Sequence, residues 1–274
     1  MIELGLGTLG LGTLGLGTAG LTLVLPAAFL GGFLDAIVGG GGLIVLPAML
    51  ATYPNLAPAT VLGTGKGSSF WGLASASLRY ARSVPIPWRL VVPAMLIGAC
   101  SSAVGAYTVR ALPSELLRPL IPFMLAAMLL YTLAHRSLGE HHEPRNLNRR
   151  GYWIGAGLMV AIGFYDGFLG PGAGALIMFA IVRYFGFDFL RAGAAAKVLN
   201  AASNGGALLF FGFTGHILWP IALAMAVASV LGAQLGARLA IARGSRFVRL
   251  IFIVVAGSLI AKTAWDGLRP YFAG

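Results

Sequence analysis

The chain has 274 residues, 58% of them hydrophobic and only 10% charged, against roughly 25% charged in an ordinary soluble domain. This composition argues against a water-soluble globule and makes the bilayer the natural solvent, and the length accommodates several apolar spans of about 20 residues each with little room for a separate soluble domain. The formal charge of +11 does not signal nucleic acid, because Lys and Arg are scattered over short connections and form no aromatic-interleaved patch; they read as topology signals facing anionic lipid and cytosol.

Residues 1–19 form a Gly/Leu/Thr-rich lead-in. Its chance matches to GxGxxG lack a preceding strand and make no dinucleotide site. It has no basic n-region and its apolar run continues into further spans, so it does not read as a cleaved signal peptide. Apolar segments suited to transmembrane helices follow at Gly20–Val38, Ala57–Leu78, Leu90–Val109, Leu116–Ala134, Tyr152–Leu169, Phe189–Phe213, Ile217–Leu239 and Val248–Trp265. Two shorter apolar pieces, Leu43–Ala51 and Ala175–Tyr184, each follow a glycine-rich break and read as half-helices. The single cysteine, Cys100, lies in an apolar stretch and offers neither a disulfide nor a Cys-based metal site.

The chain repeats itself. A shift of 131 residues, without a gap, pairs Gly32 with Gly163, Asp35 with Asp166, Gly39 with Gly170, Gly41 with Gly172, Lys66 with Lys197, Trp88 with Trp219 and Arg118 with Arg249. Rare Asp, Lys and Trp falling on one register mark a duplication. The organisation is a membrane repeat over 20–136, a polar linker over 137–150, a second membrane repeat over 151–266 and a tail over 267–274.

Most of the 19 basic residues fall on one side if the connections alternate across a membrane: Arg79, Arg82 and Arg89; the linker arginines; Arg183 and Arg191; and Arg238, Arg243, Arg246 and Arg249. The positive-inside rule makes that side cytoplasmic. The first repeat then begins outside and the second inside, with the linker cytoplasmic and both termini periplasmic. The expected fold is an all-α polytopic membrane protein of two inverted-topology repeats, each a broken-helix hairpin plus three transmembrane helices, as in many secondary transporters.

Ionisable residues inside membrane spans are costly and point to function. Here they are two repeat-related pairs, Asp35 with Asp166 and Lys66 with Lys197. Each aspartate precedes a glycine break, Gly39-Gly40-Gly41-Gly42 in one case and Gly170-Pro171-Gly172-Ala173-Gly174 in the other. A break frees backbone N–H groups at the start of the following half-helix, where they form donors for an anion. The candidate anion-binding residues are therefore Lys66 and Lys197, the break residues Gly40, Gly41, Gly42, Gly172 and Gly174, and neighbours at helical spacing, Ser68, Ser69, Asn200 and Asn204. Two alternatives stay open: the lysines either contact substrate or form structural ion pairs with the aspartates, and Asp35 and Asp166 serve either a structural or helix-capping role or proton coupling.

No paired carboxylates, Ser/His set or metal-ligand cluster lies at catalytic spacing within the spans, so the reading is not an enzyme, with no metal and no cofactor. His141 and His142 belong to the polar linker, His216 to a span end. Gly98, Gly105, Gly232 and Gly236 read as close-packing positions, and Trp88 and Trp219 as interfacial anchors.

The paired broken-helix segments with Asp35 and Asp166, the lysines Lys66 and Lys197, and the Gly215-x-Ile217-x-Trp219 approach resemble the TauE/SafE family of sulfite and organosulfonate exporters from Phe29 to Trp265. The resemblance implies an inner-membrane carrier, with matching glycine-break and lysine positions, for sulfite, sulfoacetate or a related sulfonate. Pro171 and Ala173 interrupt the second break, so the two half-sites need not bind equally. The expected function is alternating-access transport of a small sulfur oxyanion, with proton coupling through Asp35 or Asp166 left open. A passive anion channel and an intramembrane enzyme are the rivals. The expected partners are the anion and membrane lipid, with a homodimer left open.

Overall fold

The computed structural model describes residues 18–112 and 149–272. The lead-in before Thr18, the Leu116–Ala134 span, and the linker up to residue 148 with its two histidines lie outside the described residues. Within them the chain is helical: α1 (Thr18–Ile37), α2 (Gly42–Thr52), α3 (Pro58–Ser83), α4 (Trp88–Ala111), α5 (Arg149–Phe168), α6 (Ala173–Ala180) running into a π-helical turn (Ile181–Phe185), α7 (Phe189–Phe213) and α8 (Trp219–Phe272). No strand occurs among the described residues. Gly244, at φ 73° and ψ −166°, divides α8 where the sequence separates its last two spans.

Local chemistry sets the boundaries. Pro58 opens α3 at a position whose N–H has no helical partner. The Asp188 carboxylate caps α7 by accepting from the N–H groups of Leu190 and Arg191 at 2.9 and 3.0 Å. At the first break Gly39 takes φ +86°, and at the second Gly170 takes φ +89°, the left-handed region where a Cβ is penalised. The repeat register persists here, since the helix starts Gly42 and Ala173, Pro58 and Phe189, and Trp88 and Trp219 are each separated by 131 residues.

Two apolar clusters organise the packing. One gathers Ala36, Val38, Tyr80, Val84, Val91, Ala192, Leu199 and Ala240 with Phe187, Leu190 and Phe247. The helix ends around it carry Arg79, Arg82, Arg89, Arg183, Arg191, Arg243 and Arg246, so we call it the Arg-rich end. The other gathers Val24, Met49, Leu62, Val109, Phe211, Ile221 and Met225 at the Arg-poor end. The halves interlace: α4 packs against α5 and α7, while α8 packs against α1 and α3. Small residues let these backbones approach. A Cβ at Gly105 would collide with the Phe164 carbonyl, and its repeat mate Gly236 faces Phe33 in the same way, as expected from sequence for both glycines.

Among the described residues three segments are long and apolar enough to cross a membrane, Gly20–Ile37, Trp88–Ala111 and Trp219–Val248. The sequence also predicts spans over α3, α5 and α7; of these, α3 carries Lys66, Ser68 and Ser69, and α7 carries Lys197, Asn200 and Asn204. The polar faces of α3 and α7 need cover. These two helices pack against each other and are flanked by α8 and α4, which spares their polar faces from lipid. Exposed Leu96, Val104, Trp153, Leu209, Phe213, Val227 and Leu231 make an apolar exterior suited to hydrocarbon.

Candidate functional site

The two glycine breaks meet. Ala175 N–H, in the first turn of α6, donates to the Gly39 carbonyl at 3.2 Å. A Cβ at Gly174 would lie 2.9 Å from the Gly39 Cα and 2.7 Å from the Asn200 amide nitrogen. Glycine is therefore required at this crossing by contact as well as by dihedral angle. Non-helical backbone at such a depth survives only where protein or a polar cavity surrounds it.

Lys66 Nζ reaches across the repeats to Asp166 Oδ1 at 2.6 Å, a pair with side chains 8% and 2% exposed. Asp166 Oδ2 accepts from the Asn204 amide at 3.1 Å. The same amide nitrogen lies 2.9 Å from the Asn200 carbonyl and 3.1 Å from its Oδ1. Asp35 does something different: its Oδ1 accepts from the Gly41 N–H at 2.7 Å, so the protein's own carboxylate occupies a donor at the start of α2. Lys197 is fully buried and its Nζ has no hydrogen-bond partner. Among the described residues no ion pair forms between Lys197 and Asp35, although they are the repeat mates of Lys66 and Asp166.

A cavity of about 50 Å³ lies beside this network, lined by Asp35, Gly42, Met49, Leu62, Gly65, Lys66, Ser69, Asp166, Pro171, Asn200 and Asn204 among others. At roughly 10–15 Å³ per water it admits a few waters or one small ion. Of the residues named from sequence, Lys66, Gly42, Ser69, Asn200, Asn204, Asp35 and Asp166 line it. Gly40 and Gly41 form the turn, with the Gly41 carbonyl accepting from Ile44 and Val45 N–H. Gly172 caps α6 at φ 79°, and Gly174 forms the crossing. Ser68 is buried with an unpartnered hydroxyl outside the cavity lining, and Lys197 also lies outside that lining.

The sequence reading did not single out Gly65, where an added Cβ meets nothing within 4 Å, or Tyr80, a fully buried side chain whose hydroxyl donates to the Ala36 carbonyl at 2.9 Å. It also missed Gln234, which accepts from Arg79 Nε at 2.6 Å and donates to the Ser75 carbonyl at 2.9 Å. A lone Gln in an apolar span was the available signal, since a buried amide needs partners. No group of three or more His, Cys, Asp or Glu fit to hold a metal occurs among the described residues.

Residues 24–263 match the family described as sulfite exporter TauE/SafE. The chain belongs to the TauE/SafE family. The TauE/SafE match spans both breaks and both lysines. The chain is 35% identical over 250 residues to a probable membrane transporter protein, ORF9, of a Sinorhizobium species, covering 91% of this chain and 94% of that one. It is 34% identical over 248 residues to a probable membrane transporter protein of Haemophilus influenzae, covering 90% and 95%, and 35% identical over 242 residues to YfcA of Escherichia coli, covering 87% of each. No solved structure matches the chain. This TauE/SafE protein is thus a helical membrane transporter, and the crossing of its two broken helices is its candidate site.

Proposed function

We propose that the chain is a secondary transporter carrying a small sulfur-containing oxyanion, sulfite or a related organosulfonate, across the bacterial inner membrane by alternating access between two inverted repeats. The observation that carries this reading is a buried cation without a hydrogen-bond partner among the described residues, Lys197, in the same helix as the Asn200 and Asn204 that line a small polar cavity at the crossing of two broken helices. An unpaired ammonium inside a membrane protein is costly, and an anion of compact size would offset it. The family description supplies the sulfur chemistry. The gathering of arginines at one end supports a cytoplasmic Arg-rich end and periplasmic termini.

Inverted repeats with discontinuous helices favour carriers, and the small volume of the cavity favours binding one ion at a time over free permeation. The moving units would be mixed, α1–α3 with the first part of α8 against α5–α7 with α4, because each repeat's fourth helix packs on the other repeat. Asp35 and Asp166 are the groups that would couple protons, as carboxylates beside a lysine and a helix start.

The test is uptake of labelled sulfite, thiosulfate, sulfoacetate and sulfate into proteoliposomes, with and without a pH gradient. We expect saturable counterflow of one sulfur anion, lost in correctly folded Lys66→Ala and Lys197→Ala proteins. Normal uptake by both variants would overturn the site, and large unitary currents without counterflow would make the protein a channel.

A further inference from the structure

The two lysines are repeat mates in unlike surroundings, and the rest of the site is unlike in the same sense. The cavity beside Lys66 is lined by Met49, Leu62 and Gly65. Shifted by the repeat register, these become Ala180, Gly193 and Ala196 beside Lys197. There Ala196 and Lys197 are wholly buried and Ala180 is 9% exposed, and the space is shut. The fully buried Met178 faces Gly193 across this space. The Asp166 carboxylate holds a lysine, whereas the Asp35 carboxylate holds the Gly41 N–H.

From the Arg-rich end a second, apolar cavity of about 150 Å³, with Arg89, Pro87 and Phe187 in its lining, reaches Ile177, Ala180 and Ala195. Ile177 and Ala180 are the mates of Leu46 and Met49, which line the Lys66 cavity. The closed side therefore adjoins a vestibule whose lining includes Ala180, Ala195 and Leu199.

We propose that Lys197, Asp35, Gly193 and Ala196 form a second oxyanion half-site, closed in this structure, which opens to the Arg-rich end when the Lys66–Asp166 pair is exchanged for a Lys197–Asp35 pair. This rests on the transporter reading for its ligand, the same small sulfur oxyanion, but the exchange itself is a statement about conformation. In the exchanged state Asp166 takes the role Asp35 has here and caps α6 at Gly172, while Lys66 becomes the sealed cation. Each carboxylate thus alternates between a helix N-terminus and a lysine, two partners of like sign, and each state keeps one ion pair. Two packings of one sequence related by repeat symmetry can differ by little free energy, so the ligand needs only a small differential affinity to shift them.

The test reads accessibility, with no transport step. In a Cys100→Ser background, Gly65→Cys, Gly193→Cys and Ala196→Cys are labelled by a membrane-impermeant thiol reagent applied to either face of oriented vesicles. Gly65 and Gly193 have room, since an added Cβ meets nothing within 4 Å at the first and only Met178 Sδ at 3.7 Å at the second; Gly193 thus serves if Ala196→Cys fails to fold. We expect Gly65→Cys to label from the Arg-poor face alone, and the other two from the Arg-rich face alone. Asp166→Asn keeps an acceptor oxygen for the helix start but removes the charge that holds Lys66. It is expected to raise Arg-rich-face labelling at 193 and 196 about tenfold and to lower labelling at 65, tenfold being the population change that ~1.4 kcal/mol produces. Asp35→Asn should do the reverse. Labelling of 193 and 196 from the Arg-poor face, or no labelling of either in the Asp166→Asn protein, overturns the half-site. Failure of sulfite uptake with this labelling pattern intact would overturn the substrate and leave the exchange standing.

Discussion

Lys66 and Lys197 occupy one register of a repeat, lie in the first half of equivalent helices and are both buried, yet one is paired at 2.6 Å and the other has no hydrogen-bond partner among the described residues. Asp166 and Asp35 differ to match, one turned to a lysine and one to a backbone N–H. The difference teaches that local sequence places these four groups but does not decide their pairing. Pairing depends on which side of the crossing is open, so the conformational state of the protein is written in its ion pairs.

The comparison breaks most directly in stability. Removing Lys66 leaves Asp166 buried opposite nothing but the Asn204 amide, and breaking a buried pair by deleting one partner costs about 3–5 kcal/mol. Lys66→Met should lower the unfolding temperature in detergent accordingly. Lys197→Met removes an ammonium that has no hydrogen bond to lose and keeps similar volume, so its unfolding temperature should hold or rise. Equal destabilisation by the two would mean that Lys197 has a partner in solution, and the asymmetry would fail.

The frame around the site should be as symmetric as the site is not. Gly105 and Gly236 are mates, each facing a carbonyl of the other repeat's first helix. Gly105→Ala and Gly236→Ala should each cost about 1–3 kcal/mol, the cost of overpacking a backbone that cannot shift cheaply. Gly65→Ala, with open space around its Cβ, should leave thermal unfolding unchanged. A large gap between the two mates would show that the interlaced packing differs between halves and that the asymmetry extends beyond the lysines.

Much of this was legible in sequence. The repeat register predicts where α2 and α6 start, because a glycine break and an apolar run are local signals, and the four membrane-embedded charges stand out against an apolar background. The four predicted cavity neighbours illustrate the limit of helical spacing. Ser69, Asn200 and Asn204 line the cavity, whereas Ser68, one residue on, is buried away from it. Spacing gives a face only to within one position. The Lys66–Asp166 pairing joins residues 100 apart in sequence, and no periodicity selects it over Lys66–Asp35. Helix capping by the aspartates was one of the readings the sequence left open, but nothing local said which of the two caps: Asp35, six residues upstream, takes the Gly41 N–H, while Asp166 turns to a lysine.

Tyr80 offers the finest adjustment of the comparison. Its hydroxyl donates to the Ala36 carbonyl at 2.9 Å, beside Asp35 and at the end of α1, on the side that is closed. Its repeat mate is Phe211, also fully buried but without a hydroxyl to hold the corresponding carbonyl. The two aromatic rings fill equivalent places, and only one of them is bonded to the helix end that must move if Lys197 is to be uncovered. Tyr80→Phe makes the closed side like the open one. A hydrogen bond of this kind contributes about 0.5–1.5 kcal/mol, so the variant should fold normally, with a several-fold rise in labelling of Gly193→Cys from the Arg-rich face. Unchanged labelling in a folded Tyr80→Phe protein would assign the closure to backbone packing at Gly39 and Gly174 alone, and the hydroxyl would have no part in choosing the state.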